Sequence, residues 1–168
     1  MDLPAPWIIH CDGSAIPNPG RMGLGAVLVA PDGTQHTLSQ ATHTTGCNNE
    51  AELAALVLAL NEARARGATS LQIYSDSSLL VEQMGAPAAA HARLAPLYAA
   101  ARALLAGFDA VQMQWIPRHR NGEADALARA ALGAAPKPAV HPSLKHLPRK
   151  KRKALAAPHS GSNPIDAR

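Results

Sequence analysis

Asn49-Glu50-Ala51-Glu52-Leu53-Ala54-Ala55-Leu56-Val57-Leu58-Ala59-Leu60-Asn61-Glu62-Ala63-Arg64-Ala65-Arg66 is the stretch whose reading decides the fold. Leu53, Leu56, Val57, Leu60 and Ala63 recur at the i, i+3, i+4, i+7 spacing of one apolar helical face. Gly67 supplies the stop. Leu71–Tyr74 follows as a short apolar strand. A helix leading straight into a strand is a crossover, so this strand is expected to lie parallel to an earlier neighbour.

Towards the N-terminus the pattern changes. Trp7–Asp12 reads as a buried strand. Ile16-Pro17-Asn18-Pro19-Gly20 is turn chemistry, with Pro presetting φ and Gly20 offering the positive φ of a type II turn. Gly23–Ala30 and Thr34–Thr42 flank Pro31-Asp32-Gly33, a hairpin signal. Three strands in antiparallel meander are therefore expected before the helix. Towards the C-terminus, Ser77–Met84 is a short helix closed by Gly85 and Pro87. Ala92–Leu105 is another, broken at Gly107. Val111–Ile116 is a fifth strand ended by Pro117, and Glu123–Leu132 is the last helix. The class is α/β, with a five-stranded mixed sheet, three antiparallel strands followed by parallel ones, flanked by helices.

The chain has 168 residues, enough for one domain with a real core. No apolar run reaches the length of a membrane span, and the N-terminus has no basic region leading into an apolar one, so no signal peptide is expected. Cys11 and Cys47 are too few for a disulfide scaffold and fit a reducing compartment, hence a cytoplasmic setting. Charge is segregated. Residues 1–136 hold eight arginines, no lysine and eleven acids, whereas residues 137–168 hold eight basic residues and one acid, Asp166. Six prolines from Pro136 onward interrupt any apolar period, so residues 1–135 are read as the folded domain and 136–168 as a disordered basic tail. No Gly-x-Ser-x-Gly elbow and no phosphate-cradling Lys loop is present.

Four acids stand out by context: Asp12 in Ile8-Ile9-His10-Cys11-Asp12-Gly13-Ser14, Glu52 in Asn48-Asn49-Glu50-Ala51-Glu52-Leu53, Asp76 in Ile73-Tyr74-Ser75-Asp76-Ser77, and Asp125 in Ala124-Asp125-Ala126-Leu127-Ala128. Each is expected at a strand end or in a first helical turn, positions that converge at one end of a sheet. Each also has an ordinary explanation. Asn49 and Glu52 have the spacing of a capping box. Asp125 suits a helix dipole. Asp76 suits a helix cap, and Asp12-Gly13 suits a turn. Four carboxylates in one cleft would raise one another's pKa unless a cation neutralised them, and hard oxygen ligands suit Mg²⁺. A zinc site from His10, Cys11, His43 and Cys47 is disfavoured, because adjacent strand residues point to opposite faces.

These motifs, in this order and with this succession of elements, resemble the ribonuclease H type 1 family from about Trp7 to Gly133. The motifs are Asp12-Gly13-Ser14 with Asn18-Pro19-Gly20 and Gly23-Leu24-Gly25, then Asn48-Asn49-x-Ala51-Glu52, Tyr74-Ser75-Asp76-Ser77 and Ala124-Asp125-Ala126-Leu127-Ala128. The resemblance implies hydrolysis of the RNA strand of RNA–DNA hybrids, leaving 5′-phosphate and 3′-hydroxyl ends. It implies two Mg²⁺ ions, with Mn²⁺ as a substitute. Asp12 would bridge both ions, Glu52 and Asp76 would hold one, and Asp125 the other. It also implies strand contacts from Gly13, Ser14, Asn18, Asn48, Asn49 and Ser77. Cys47 stands where many relatives carry Thr.

The loop Pro117-Arg118-His119-Arg120-Asn121-Gly122 is short and is similar to that of the family's archaeal-type branch. The resemblance leaves open whether His119, Arg118 or neither takes the auxiliary role of a loop histidine. The larger enzymes of the family carry a basic protrusion; here the matching stretch, Gly85–Leu94, has only His91 and Arg93. The tail around Pro148-Arg149-Lys150-Lys151-Arg152-Lys153 is expected to replace it as an electrostatic tether to nucleic acid, and the chain is expected to be monomeric. The competing reading is a nucleic-acid-binding module on the same fold with little catalysis; it would require a lost acid, and none is lost. Proofreading-type exonucleases usually carry Asp-x-Glu on the first strand, which Asp12-Gly13-Ser14 does not. Transposase-type enzymes do not normally use a first-helix acid such as Glu52.

Overall fold

A computed structural model describes residues 4–85 and 92–136. The expectations for the tail beyond Pro136, and for most of the Gly85–Leu94 stretch, lie outside these residues. The elements run β1 (Trp7–Ile16), β2 (Gly20–Val29), β3 (Gln35–Gly46), α1 (Asn48–Ala65), β4 (Ser70–Ser75), α2 (Ser78–Gly85), α3 (Ala95–Ala106), β5 (Ala110–Trp115), a 3₁₀ turn (Arg118–Arg120) and α4 (Gly122–Ala131). The sheet order is β3-β2-β1-β4-β5. The first three strands pair antiparallel, and β1–β4 and β4–β5 pair parallel, as the crossover through α1 demands. The expected class and sheet are those observed.

Three local readings need correction. First, β1 does not end at Asp12. It continues to Ile16 because β2 goes on pairing with it, through Gly13↔Leu24 to Ile16↔Arg21. Its pairing with β4 stops earlier, at His10↔Tyr74. Asp12 thus sits just past the point where β1 parts from β4 while still held by β2. Such a parting at the carboxyl ends of parallel strands opens a crevice. Second, Gly20 is not in the positive-φ region; among the described residues Gly33, Gly67 and Gly133 are. Gly20 is needed for space instead, since a Cβ there would collide with the Pro17 carbonyl. Third, α3 starts at Ala95, three residues later than expected, with Pro96 in its first turn.

The hairpin between β2 and β3 forms as read. Ala30 N donates to Thr34 O at 2.8 Å, Asp32 Oδ1 accepts from Thr34 N at 2.8 Å, and Gly33 has φ of +88°. The buried face of α1 is broader than its leucines suggested. Ala51, Ala55, Ala59 and Ala63, each fully buried, form an i, i+4 ridge beside Leu53, Leu56 and Leu60, and Val57 is only half-buried. A ridge of alanines lets a helix lie close to a sheet. The core is otherwise filled by Ile9, Leu24, Leu28, Leu71, Ile73, Leu80 and Tyr98.

Candidate active site

Close approach of two helices to β1 and β2 builds the site. A Cβ on Gly13 would strike the backbone of Ala51. Only glycine lets the N-terminal half of α1 press on β1 at that point, and Glu52 is the next residue along. On β2, Cβ atoms at Gly23 and Gly25 would strike the carbonyls of Ala128 and Ala124. These glycines let α4 lie against the strand. Gly25 is the register partner of Asp12, so Asp125, next to Ala124, is brought to Asp12 from the other helix. Asp76 leaves the end of β4. The helix after it is capped by Ser77 and not by Asp76, with Ser77 Oγ accepting from Leu80 N at 3.2 Å. The Asp76 carboxylate is thereby left for the cleft.

Asp12, Glu52 and Asp76 each place a carboxylate oxygen within 4.8 Å of the others. Asp125 adds a side-chain hydrogen bond to Asp12. Asp12 is 5 % exposed. Burial, first, and then the charge of Asp76 push its carboxyl up to about 9; the hydrogen bond to Asp125 and the charges of Asp125 and Glu52 add to the effect. Burial, and then the charges of Asp12, Glu52 and Asp76, push the neighbouring Cys11 thiol up as well. Among the described residues, Arg118 stands beside these acids, its Nε 3.6 Å from Asp76 Oδ2 on a largely exposed side chain. An exposed guanidinium at that distance offsets little of the repulsion. Clustered oxygen donors with an excess of negative charge fit a hard divalent cation, and the three acids can hold a metal ion.

The crevice encloses about 320 Å³ and is lined by Asp12, Gly13, Ser14, Asn48, Asn49, Glu52, Asp76, Ser77, Ser78, Leu79 and Arg118. A family model described as "Reverse transcriptase-like" matches residues 10–131, which contain all four acids. This chain belongs to that family, in its ribonuclease H branch. The bifunctional protein Rv2228c of Mycobacterium tuberculosis is 39% identical over 131 residues, covering 76% of this chain but 36% of its own length. The chain thus spans about a third of that curated relative. The crystal structure of RNase H1 from Halobacterium salinarum is 33% identical, covers 77% of this chain and 98% of its own, and superposes with a TM-score of 0.72. LC11-RNase H1, solved in complex with an RNA/DNA hybrid, is 29% identical, covers 76% and 96%, and has a TM-score of 0.69.

Against this ribonuclease H frame, the crevice gathers nine of the residues expected at the site: Asp12, Gly13, Ser14, Asn48, Asn49, Glu52, Asp76, Ser77 and Arg118. Asp125 is not on its wall but reaches Asp12 by hydrogen bond. Asn18 also stands off the wall, where its Oδ1 accepts from the Asn48 backbone N–H at 3.1 Å. Asn48 in turn accepts from Ala15 N at 2.9 Å through its own Oδ1. These bonds tie the β1–β2 turn to the start of α1. His119 is exposed in the 3₁₀ turn and does not line the crevice; Arg118, one residue earlier, does.

The capping box does not form, because it needs Asn49 at the N-cap and the N-cap is Cys47, two residues earlier, without a side-chain cap bond. Capping therefore does not account for Glu52. Arg93, from the stretch expected to lack a protrusion, is bound to Glu50 at 3.1 Å. One residue was missed: Asn121, buried at 1 % exposure, donates to Cys11 O at 2.9 Å and to Asp76 Oδ1 at 3.4 Å. Its position four residues before Asp125 was the available signal. An asparagine in a loop of Arg, Gly and Pro reads as turn chemistry, which hid it.

Proposed function

We propose that the chain is an endoribonuclease that hydrolyses the RNA strand of RNA–DNA hybrids, with Asp12, Glu52, Asp76 and Asp125 holding two Mg²⁺ ions, or Mn²⁺ in their place. The observation that carries this reading is the buried Asp12 carboxyl, gathered with Glu52 and Asp76 in one crevice and hydrogen-bonded to Asp125. A protein gains nothing structurally from that arrangement without a cation. Curated relatives named ribonuclease HI and ribonuclease H support a nuclease, and the hybrid bound to LC11-RNase H1 supports the substrate. Divalent ions bound there supply charge neutralisation, activation of water, and stabilisation of the leaving 3′ oxygen, giving 5′-phosphate and 3′-hydroxyl ends.

The protein's own groups do the rest. Asn48, Asn49, Gly13 and Ser14 line one wall, where polar groups can meet sugar hydroxyls across a wide minor groove. Ser77 and Arg118 line the other, and Arg118 is placed to meet a phosphate once cations have taken over Asp76. That Arg118 lines the crevice and His119 does not supports Arg118 for the auxiliary role. The basic segment beyond Pro136 serves in this proposal as a tether for the polyanion. Monomeric action in a reducing, cytoplasmic compartment completes it, supported by the two free cysteines.

The test is incubation of wild type and Asp12→Asn with end-labelled hybrid, RNA duplex and DNA duplex, with Mg²⁺, Mn²⁺ or EDTA. The proposal expects cation-dependent cutting of the hybrid's RNA strand by wild type alone. Hybrid binding without cleavage by wild type would favour a binding module, and equal cleavage by both proteins would end the metal-site reading.

A further inference from the structure

Asn121 occupies a junction. It is the N-cap residue of α4, but its side chain makes no capping bond. Its backbone carbonyl accepts from Asp125 N at 3.1 Å. Its amide Nδ2 is turned into the sheet, donating to Cys11 O beside Asp12 and reaching Asp76 Oδ1. One buried residue therefore touches the backbone or side chain of three segments that carry acids. Its Oδ1 is buried and has no hydrogen-bond partner among the described residues. Leaving such an oxygen without a partner forfeits its hydration. Flipping the amide would not help, because its oxygen would then face the Cys11 carbonyl and the Asp76 carboxylate, acceptor against acceptor. The orientation is thus dictated by the need for donors at those two oxygens.

Asp76 is then held from both sides, with Asn121 at Oδ1 and the exposed Arg118 at Oδ2. The two contacts differ in kind. Arg118 can swing away; Asn121, buried and bonded to β1, cannot. From this geometry we infer that Asn121 is a positioning residue for cation binding: it fixes the Asp76 carboxylate relative to Asp12 and couples both to the start of α4. Partners that orient a ligand from outside typically contribute 10–100-fold in metal affinity. The inference rests on the reading of the acids as a cation site.

The experiment is calorimetric titration of Mn²⁺ into the full chain as wild type, Asn121→Ala, Asn121→Ser, Asp76→Asn and the Asp76→Asn/Asn121→Ala pair, with melts in EDTA alongside. Asn121→Ala is expected to weaken Mn²⁺ binding at least about tenfold. The Mg²⁺ concentration for half-maximal hybrid cleavage should rise in step, while KM for hybrid at saturating metal stays within about twofold. Asn121→Ser, which keeps a shorter donor, should recover part of the loss and serves as the probe if the Ala variant does not fold. In the Asp76→Asn background the Ala change should have little further effect, because the two act through one carboxylate. A lowered melting temperature with unchanged Mn²⁺ affinity would overturn the inference and leave Asn121 a structural residue. Wild type failing to bind Mn²⁺ would overturn the cation site itself, and this inference with it.

Discussion

Replacing Asp12 by asparagine should stabilise the metal-free protein, although it removes the residue at the centre of the site. The Asp12 carboxyl has an ordinary value of 3.8 and is pushed up to about 9 in the fold. Between those values the folded protein keeps a proton that the unfolded chain has released. The sign follows: stability contributed by this group falls as pH rises through that window, by about 1.4 kcal/mol per unit. From 3.8 to pH 7 the penalty is about 4 kcal/mol. Direct repulsion gives the same order, since two carboxylate oxygens 4.8 Å apart repel by about 3.5 kcal/mol at an effective dielectric near 20. Asparagine keeps the shape and removes the charge. Melts in EDTA across pH 5–9 should show Asp12→Asn more stable than wild type at pH 7 by up to about 4 kcal/mol, with roughly 3–4 °C of melting temperature for each kcal/mol. The gap should narrow towards pH 5. Millimolar Mg²⁺ should reverse the ranking by stabilising wild type alone. Parallel pH slopes for the two proteins in EDTA, or a variant less stable at every pH, would refute the electrostatic account.

Other outcomes follow from the packing and the charges. Gly25→Ala, whose Cβ would meet the Ala124 carbonyl and lie 2.5 Å from Ala128 N, should destabilise the fold by about 1–3 kcal/mol and displace α4; kcat on hybrid should fall on the order of 100-fold, read by steady-state kinetics beside thermal melts. Arg118→Ala should leave the melting temperature within about 1–2 °C, since its ion pair is exposed, and should raise KM for hybrid several-fold. Truncation after Gly133 should flatten the dependence of hybrid affinity on salt, by up to about six units of log–log slope if all seven net charges of the tail meet phosphates; an unchanged slope in binding titrations would remove the tether from the proposal.

What could be read in the sequence was whatever is encoded locally. The i, i+3, i+4 spacing of Leu53, Leu56 and Leu60 marks α1 because side-chain period follows directly from helix geometry. Pro31-Asp32-Gly33 marks a turn because Asp32 and Gly33 satisfy it with their own atoms. Asp12, Glu52 and Asp76 could be gathered on paper because each was expected at a strand end or in a first helical turn, although β1 runs on past Asp12. What could not be read depends on partners distant in the chain. The run of β1 past Asp12 to Ile16 is decided by β2, not by anything in residues 13–16. The N-cap at Cys47, and not Asn49, comes with a bond from Asn48 N to Asn18 Oδ1, 30 residues away, and that two-residue shift dissolves the capping box. Asn121 bonds across 110 residues to Cys11, a separation that no local window covers.

The glycines join these two kinds of information. Gly13, Gly23 and Gly25 were legible as a motif, and none of them has positive φ. They are glycine because a helix backbone occupies the space of the missing Cβ: that of α1 at Gly13, that of α4 at Gly23 and Gly25. Each helix brings one acid with it, Glu52 or Asp125. The close approach that concentrates negative charge is therefore written into the strands themselves, two residues on β2 and one on β1. Repulsion among the acids works against that approach, and the alanine ridge of α1 and the burial of Ala124 and Ala128 on α4 work for it. A site held together by helix–sheet packing against its own electrostatics should tighten when a cation arrives, because the opposing term is removed while the packing is already in place.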